Sequence, residues 1–167
     1  DGVLSPGELG LVGSAFLFVY AVGKCVNGFI ADYCNIRRFM AVGLAVSAVI
    51  NFLMAAMGYY YESVEGAPYA RYMVYGSFFL LWGLNGWAQS MGSPPGVISL
   101  SRWFPKSRRG TFYSLFSSSP YVGKFLSLFL MGMVVEALTW ESGFLVASFA
   151  GLTGTLIILF MVFDTPE

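Results

Sequence analysis

The feature that most constrains the fold of this chain is a series of long apolar segments that carry no charge. Residues 39–61 contain no Asp, Glu, Lys or Arg, and neither do residues 142–163. A helix that crosses the hydrocarbon layer needs about 20 residues, whereas a helix in a soluble core is normally apolar along one stripe only. Only 11% of the 167 residues are charged, against about 25% in soluble domains. The sequence therefore predicts an all-α integral membrane protein.

Five segments are predicted to cross the membrane, at about 9–31, 39–61, 72–101, 111–135 and 142–163. The first follows Ser5-Pro6-Gly7-Glu8, a capping box with proline at the first helical position. Pro94-Pro95 interrupts the third and predicts a kink, because proline has no backbone N–H to donate. No charged or low-complexity linker divides the chain, so residues 1–167 are expected to form one bundle.

Lysine and arginine are concentrated in two connections, the first between spans one and two and the second between spans three and four. These connections hold six of the nine cations: Arg37, Arg38, Arg102, Lys106, Arg108 and Arg109. The other connections contain Glu62, Glu65, Arg71, Glu136 and Glu141. Cytoplasmic loops are enriched in Lys and Arg, so residues 32–38 and 102–110 are predicted to be cytoplasmic in a cell (inner or plasma) membrane. The first residue then lies outside, which predicts a further helix upstream.

The composition excludes several kinds of site. The chain has no histidine and only two cysteines, Cys25 and Cys34, so it lacks the residues for a Cys/His zinc site or a His-dependent triad. Its glycine-rich runs follow no predicted strand and carry no Gly-Lys-Ser/Thr sequence, which argues against a nucleotide site. We therefore expect no catalytic residue, no metal, no cofactor and no nucleic-acid partner.

Two lysines lie within predicted spans, where an ammonium costs about 2.5–3.5 kcal/mol and normally faces a cavity or a partner. Lys24 lies near enough to the cytoplasmic end of its span to snorkel toward the headgroups. Lys124 lies twelve residues before Glu136 and hence near the midplane. The structural alternative for Lys124 is pairing with a carboxylate of an unseen helix. Tyr20 and Gln89 are expected to line the same pathway, with interhelical hydrogen bonding as their alternative.

The first basic connection resembles the signature loop of the major facilitator superfamily. Gly28 and Asp32 are separated by three residues, and Arg37 and Arg38 close the loop. The family has this loop after the second of the six spans in each half. The resemblance implies an N-terminal six-helix half that lacks its first helix, with a C-terminal six-helix half in the same protein. It also implies that Asp32 helps latch the two halves. Tyr33 stands where the family usually has a cation.

Further motifs resemble the organophosphate:inorganic phosphate antiporters, a group of glycerol-3-phosphate and hexose-6-phosphate carriers with a related sensor. The matching stretches are Tyr20 with Lys24, Asp32–Arg37, Gln89–Pro95, Trp103-Phe104 with Arg109-Gly110, and Asp164–Glu167. Two positions depart from the group, since Ile98 replaces an arginine and Pro120 replaces a histidine that some carriers use. Lys124, one helical turn after Pro120, is predicted to supply the missing cation.

The resemblance implies a secondary carrier that exchanges a phosphorylated small metabolite for inorganic phosphate by alternating access. The expected substrate-binding residues are Lys24, Lys124, Tyr20 and Gln89, with the two ammonium groups attracting the anion. One alternative is a membrane sensor that binds sugar phosphates without transporting them. Another is a carrier of the same superfamily for a different organic anion or sugar.

Overall fold

The computed structural model describes residues 4–64 and 69–163, and within these ranges every regular element is an α-helix. The helices are α1 (Pro6–Ala31), α2 (Ile36–Ser63), α3 (Ala70–Ser90), α4 (Ser93–Trp103), α5 (Arg109–Ala137) and α6 (Trp140–Met161). The prediction of an all-α chain is confirmed. The described residues do not include the first residue, Asp1, or Glu65 and Asp164–Glu167.

The starts of α1 and α2 are set by local capping. The Ser5 hydroxyl accepts the backbone N–H of Glu8 at 3.3 Å, and the Glu8 carboxylate accepts the backbone N–H of Ser5 at 2.7 Å. The two residues thus satisfy each other's free donors, which confirms the predicted capping box. Asn35 begins α2 in a similar way, since its side-chain oxygen accepts the backbone N–H of Arg38 at 3.0 Å.

α2 occupies the middle of the bundle between α3 and α6 and runs antiparallel to both. Its antiparallel packing on α6 is seen in two contacts: Gly58 lies against Trp140, and Ala48 lies against Gly151. α1 runs alongside α3 in the same direction. The two basic connections, α1–α2 and α4–α5, therefore lie at the same end of the bundle.

Small residues allow α1 and α3 to approach closely. A Cβ atom at Gly86 would collide with the backbone carbonyl of Phe16, and one at Gly23 would collide with the Ser90 side chain. Beside these contacts, the buried Asn27 side-chain amide donates to the Ser90 hydroxyl at 2.6 Å. In a bilayer, close van der Waals packing of this kind is a principal source of helix association.

The third predicted span consists of two helical segments. α3 ends at Ser90 and α4 begins at Ser93. Pro94 and Pro95 have no N–H, so they cannot bond to the carbonyls of Ser90 and Met91, four residues earlier. The break therefore lies just before the proline pair, in the region where the sequence predicts a kink.

Within residues 4–64 and 69–163, four helices are long and apolar enough to cross a membrane: α1, α2, α5 and α6. The third predicted crossing is shared between α3 and α4, and the membrane boundaries of all five spans remain a prediction. α5 differs from the other long helices because none of its residues is buried in the part of the chain that the structure describes. It packs only thinly, against α4 and α6.

Candidate functional site

A cavity of about 480 Å³ lies between α1, α4 and α5 and contains Lys24 on its wall. We call it the Lys24 cavity. Gly92 and Ser93, at the break between α3 and α4, form another part of its wall. The broken span thus begins its second segment beside the cation. Six of the lining residues carry hydroxyl groups: Tyr20, Ser93, Tyr113, Ser117, Ser119 and Tyr121.

Lys24 and Tyr20, two of the predicted binding residues, are brought together in this cavity. Four residues apart on α1, they share one face of the helix, and the Lys24 ammonium lies 5.0 Å from the centre of the Tyr20 ring. The negative face of an aromatic ring attracts a cation at this distance. The Lys24 side chain is exposed, so its charge remains accessible to an anion entering the cavity.

Pro120 lies inside α5 and lines the same cavity. Its ring removes the N–H that would bond to the Phe116 carbonyl four residues earlier. The Ser119 hydroxyl takes that place and donates to the Phe116 carbonyl at 2.7 Å. Freed backbone groups in membrane helices are commonly satisfied by serine in this way, so Pro120 can remain within a continuous α5.

Gln89 lines a different space, a cleft of about 650 Å³ between α2, α3, α5 and α6 that we call the Gln89 cleft. Its side-chain amide donates to the Asn85 side-chain oxygen at 3.4 Å, and Ser47 of α2 donates to the same oxygen at 2.5 Å. Asn85 is fully buried, and its amide nitrogen has no hydrogen-bond partner among the described residues. Gly92, at the break between α3 and α4, lines both spaces.

Lys124 is exposed on α5 and lines neither the Lys24 cavity nor the Gln89 cleft. Pro120, one turn earlier, does line the Lys24 cavity. The four expected binding residues are therefore distributed over three locations. Tyr20 and Lys24 lie together, Gln89 lies in the neighbouring cleft, and Lys124 lies outside both.

The loop that contains Asp32 is short. Asp32 caps the C-terminus of α1 and is exposed, and within the described residues no salt bridge joins it to Arg37 or Arg38. The Arg37 Nε atom is buried without a hydrogen-bond partner in the same part of the structure. Gly28 faces the start of α4, because a Cβ atom there would lie 3.8 Å from the Pro94 side chain.

The second basic connection, between α4 and α5, also stabilises the end of α4. Arg109, the first residue of α5, donates to the carbonyl of Phe104 at 3.0 Å and to that of Ser101 at 2.6 Å. It therefore satisfies carbonyls at the end of α4, a role that suits a cation. The rings of Phe104 and Phe112 stack with centroids 3.6 Å apart. The other three cations, Arg102, Lys106 and Arg108, are exposed.

At the opposite end of the bundle an ion pair connects α1 to α3. Arg71 Nη2 lies 2.8 Å from Glu8 Oε2. The backbone N–H of Ser5, together with the Arg71 guanidinium and the Ser5 hydroxyl, lowers the pKa of Glu8 from 4.5 to about 2. The same contact raises the pKa of Arg71. Both groups lie just outside the predicted spans.

The residues that sequence reasoning missed are on α5. Tyr113, Ser117 and Tyr121 are not among the binding residues expected from the sequence, yet all three line the Lys24 cavity. Their spacing of four residues places them on one face of a helix. That spacing is visible in the sequence, but nothing in the sequence indicates which face of α5 lines the cavity that α5 shares with α1.

Comparison with known proteins supports the family resemblance that the motifs indicate. A family model described as Major Facilitator Superfamily matches residues 3–167. The chain is 32% identical over 160 residues to a probable hexose phosphate transport protein of Chlamydia pneumoniae, covering 96% of this chain and 32% of the relative. It is 32% identical over 164 residues to a glycerol-3-phosphate transporter of Bacillus subtilis, covering 98% of this chain and 34% of the relative.

A third relative is the membrane sensor protein UhpC of Salmonella typhimurium, 28% identical over 167 residues, which are 100% of this chain and 34% of the relative. The chain thus spans about a third of the length of these proteins. The resemblance to the organophosphate group, which the motifs predict, is confirmed by these relatives. With the family model matched along nearly its whole length, this multi-pass membrane chain belongs to the Major Facilitator Superfamily.

Proposed function

We propose that the protein containing this chain is a secondary carrier that exchanges a phosphorylated small metabolite, such as a sugar phosphate or glycerol phosphate, for inorganic phosphate. The observation that carries the proposal is the Lys24 cavity, where an accessible ammonium shares the cavity wall with six hydroxyl-bearing residues beside a broken helix. The names of the relatives support the same class of substrate. They are named as carriers or a sensor, which favours a function without catalysis.

In this proposal Lys24 binds the phosphate group. An ammonium acts as a point charge with three donors, and the Tyr20 ring beside it holds the side chain at the cavity wall. The two halves of the carrier would rock around this site and open it to one side at a time. Exchange would follow because an occupied site reorients more easily than an empty, positively charged one.

Lys124 is proposed as a second, more distant cation. It lies one turn beyond Pro120 on α5, outside the cavity wall, so it would attract the anion without holding it. Its effect should then be smaller than that of Lys24 and more sensitive to salt, since exposed charges are screened at physiological ionic strength.

The Gln89 cleft is proposed to receive another helix of the same protein, the upstream helix that the charge pattern predicts. Two features support this assignment. The cleft is bordered by four helices and is mostly apolar, and α5 beside it has no buried residue among those described. The buried Asn85 amide, which has no acceptor among the described residues, would gain one from that helix. A C-terminal six-helix half is proposed to face the Lys24 cavity.

We propose further that the Asp32 loop and the basic loop face the cytoplasm. Asp32, exposed at the end of α1 without a salt bridge to Arg37 or Arg38 in the described structure, is available to a partner in the other half. That availability supports a latching role for Asp32. Gly28 supports it too, because its lack of a side chain leaves the end of α1 close to Pro94 of α4.

The test is exchange by the intact protein in liposomes loaded with inorganic phosphate. We expect uptake of labelled hexose phosphate or glycerol phosphate that depends on internal phosphate. Lys24→Met should reduce it at least tenfold, because the substrate anion loses its charge-assisted partner. Lys124→Met should reduce it less, and Lys106→Met, in the basic loop, serves as the matched control.

Four outcomes would contradict parts of this proposal. Unchanged exchange in Lys24→Met would remove Lys24 from the site, and unchanged exchange in Lys124→Met would remove the proposed role of Lys124. Binding of a sugar phosphate without any exchange would favour a sensor, the second candidate, which the similarity to UhpC supports. Transport of a sugar or another organic anion, without phosphorylated substrates, would keep the family and discard the substrate class.

A further inference from the structure

The serine hydroxyls of α5 fall into two groups. Ser114 donates to the Gly110 carbonyl at 2.9 Å, Ser118 donates to the Ser114 carbonyl at 2.8 Å, and Ser119 donates to the Phe116 carbonyl. These hydroxyls are satisfied by their own helix, as is usual for serine inside a membrane helix. They need no other partner.

The second group lies on the face that meets the Lys24 cavity. Tyr113, Ser117 and Tyr121 recur every fourth residue and all line this cavity. None of their hydroxyls makes a hydrogen bond within the described ranges 4–64 and 69–163. Ser117 is the informative member, because its neighbour Ser118 bonds back to the helix at 2.8 Å and Ser117 does not. We call these three residues the hydroxyl stripe.

The hydroxyl stripe and Lys24 belong to different walls of one cavity. Lys24 is on α1, whereas the stripe is on α5. A free hydroxyl donates one hydrogen bond and accepts others, so it suits a neutral polyol, whereas an ammonium suits an anion. A ligand that satisfies both walls carries a negative group at one end and hydroxyl groups at the other. A sugar phosphate has this construction, and inorganic phosphate lacks the second part.

We infer that the hydroxyl stripe, Tyr113, Ser117 and Tyr121, binds the hydroxyl-bearing organic part of a phosphorylated substrate while Lys24 binds its phosphate. The inference rests on the proposed function and names the residues that select among phosphorylated ligands. The hydroxyl stripe should then contribute to the affinity for a sugar phosphate and contribute nothing to the affinity for inorganic phosphate.

The test is ligand binding by the intact purified protein, with glucose 6-phosphate and inorganic phosphate as the two probes. Ser117→Ala and Tyr113→Phe each remove a hydroxyl from the stripe. Each should raise the Kd for glucose 6-phosphate roughly three- to tenfold, as expected for the loss of one neutral hydrogen bond. The Kd for inorganic phosphate should stay the same. Ser118→Ala, which removes a hydroxyl already bonded within α5, should leave both constants unchanged.

Each alternative result has a definite meaning. Wild-type affinity for glucose 6-phosphate in both stripe variants would overturn the inference. So would an equal loss of affinity for the two probes, which would indicate a general effect on the cavity. The inference would also be overturned if the wild-type protein bound neither glucose 6-phosphate nor inorganic phosphate. Binding without exchange in liposomes would overturn the carrier proposal alone and leave the role of the stripe intact.

Discussion

At the scale of single residues, Lys24 owes its place to its own helix. Tyr20 precedes it by one turn, so the two side chains meet whatever the rest of the chain does. The Lys24 stem can lie along apolar surface while its charged end stays in the cavity. What α1 alone does not determine is the identity of the opposite wall, which α4 and α5 supply.

The Glu8–Arg71 pair leads to a prediction about pH. The pKa of Glu8 is lowered from 4.5 to about 2 in the folded protein, so its contribution to stability is complete above pH 4.5. It is lost as the pH falls from 4.5 toward 2, because protonation then favours the unfolded state. The melting temperature of the intact detergent-purified protein should be higher than that of Glu8→Gln at pH 7, and the difference should shrink by pH 3.

Glu62→Gln is the control for this measurement, since Glu62 is exposed at the end of α2. We expect it to melt like the wild type at both pH values. A difference between wild type and Glu8→Gln that stays constant from pH 7 to pH 3 would mean that the charge of the Glu8 carboxylate, beside Ser5 and Arg71, contributes nothing to stability.

Glu141 leads to a second residue-scale prediction. It lies in the first turn of α6 with no exposed surface, and neither carboxylate oxygen has a hydrogen-bond partner among the described residues. Leaving a buried polar group unsatisfied costs about 1–3 kcal/mol. Burying a charged carboxylate costs more than burying a neutral amide, so Glu141→Gln, which keeps the shape of the side chain, should raise the free energy of unfolding, read as a higher melting temperature. Glu136→Gln, an exposed neighbour on α5, should have no effect.

A lower melting temperature in Glu141→Gln would contradict this expectation. It would instead indicate that another part of the intact protein places a cation against the Glu141 carboxylate. The close approach of Gly58 to the Glu141 side chain shows how tightly α2 and α6 enclose this group.

At the scale of helices, the bundle depends on glycines at particular crossings. Gly86 of α3 lies directly against the backbone of α1 at Phe16. Gly86→Ala should therefore destabilise the protein by about 1–3 kcal/mol, the usual cost of overpacking, because backbone cannot give way as a flexible side chain can. Thermal unfolding of the purified protein would measure it.

Gly76→Ala is the matched control, because it makes the same substitution in the same helix. No atom lies within 4 Å of a Cβ atom at Gly76, and alanine is the better helix former by about 1 kcal/mol. It should be neutral or slightly stabilising. Equal melting temperatures for the two variants would show that α1 and α3 can move apart at Gly86 without cost.

At the scale of the whole molecule, the orientation of the bundle can be tested with a native cysteine. Cys34 lies exposed in the connection between α1 and α2, which we propose to be cytoplasmic. In the intact protein with its other cysteines replaced, a membrane-impermeant maleimide should label Cys34 in inverted vesicles and should leave it unlabelled in intact cells. Labelling of Cys34 in intact cells but not in inverted vesicles would show that the bundle has the opposite orientation.

Much of the fold could be predicted from local sequence. The apolar runs and the capping box at Ser5 determined where helices form, because backbone groups in lipid must bond within their own segment. The proline pair likewise indicated the broken third span, since proline always removes a donor. The match of motifs such as Tyr20 with Lys24 pointed to the family, which the comparisons confirm.

The candidate site was harder to predict from the sequence. Helical spacing shows which residues share a face of a helix, but it does not show which helix or cavity that face contacts. Gln89 and Lys24 both lie in polar positions within spans, yet the structure directs them into separate spaces. Lys124 and Ser117 are both polar residues of α5, yet only Ser117 reaches the cavity. This assignment depends on how α5 is rotated against α1 and α4, a matter of long-range packing.

The sequence by itself thus determined the class of protein, the helices, their breaks and the end of the bundle that carries the cations. Each of these follows from hydrophobic length, proline chemistry or charge, which act within a segment of the chain. Only the tertiary structure decided that Lys24 lines the same cavity as Tyr113, Ser117 and Tyr121, while Gln89 lines a separate cleft. The reason is physical: a cavity exists only where helices distant in sequence fail to touch.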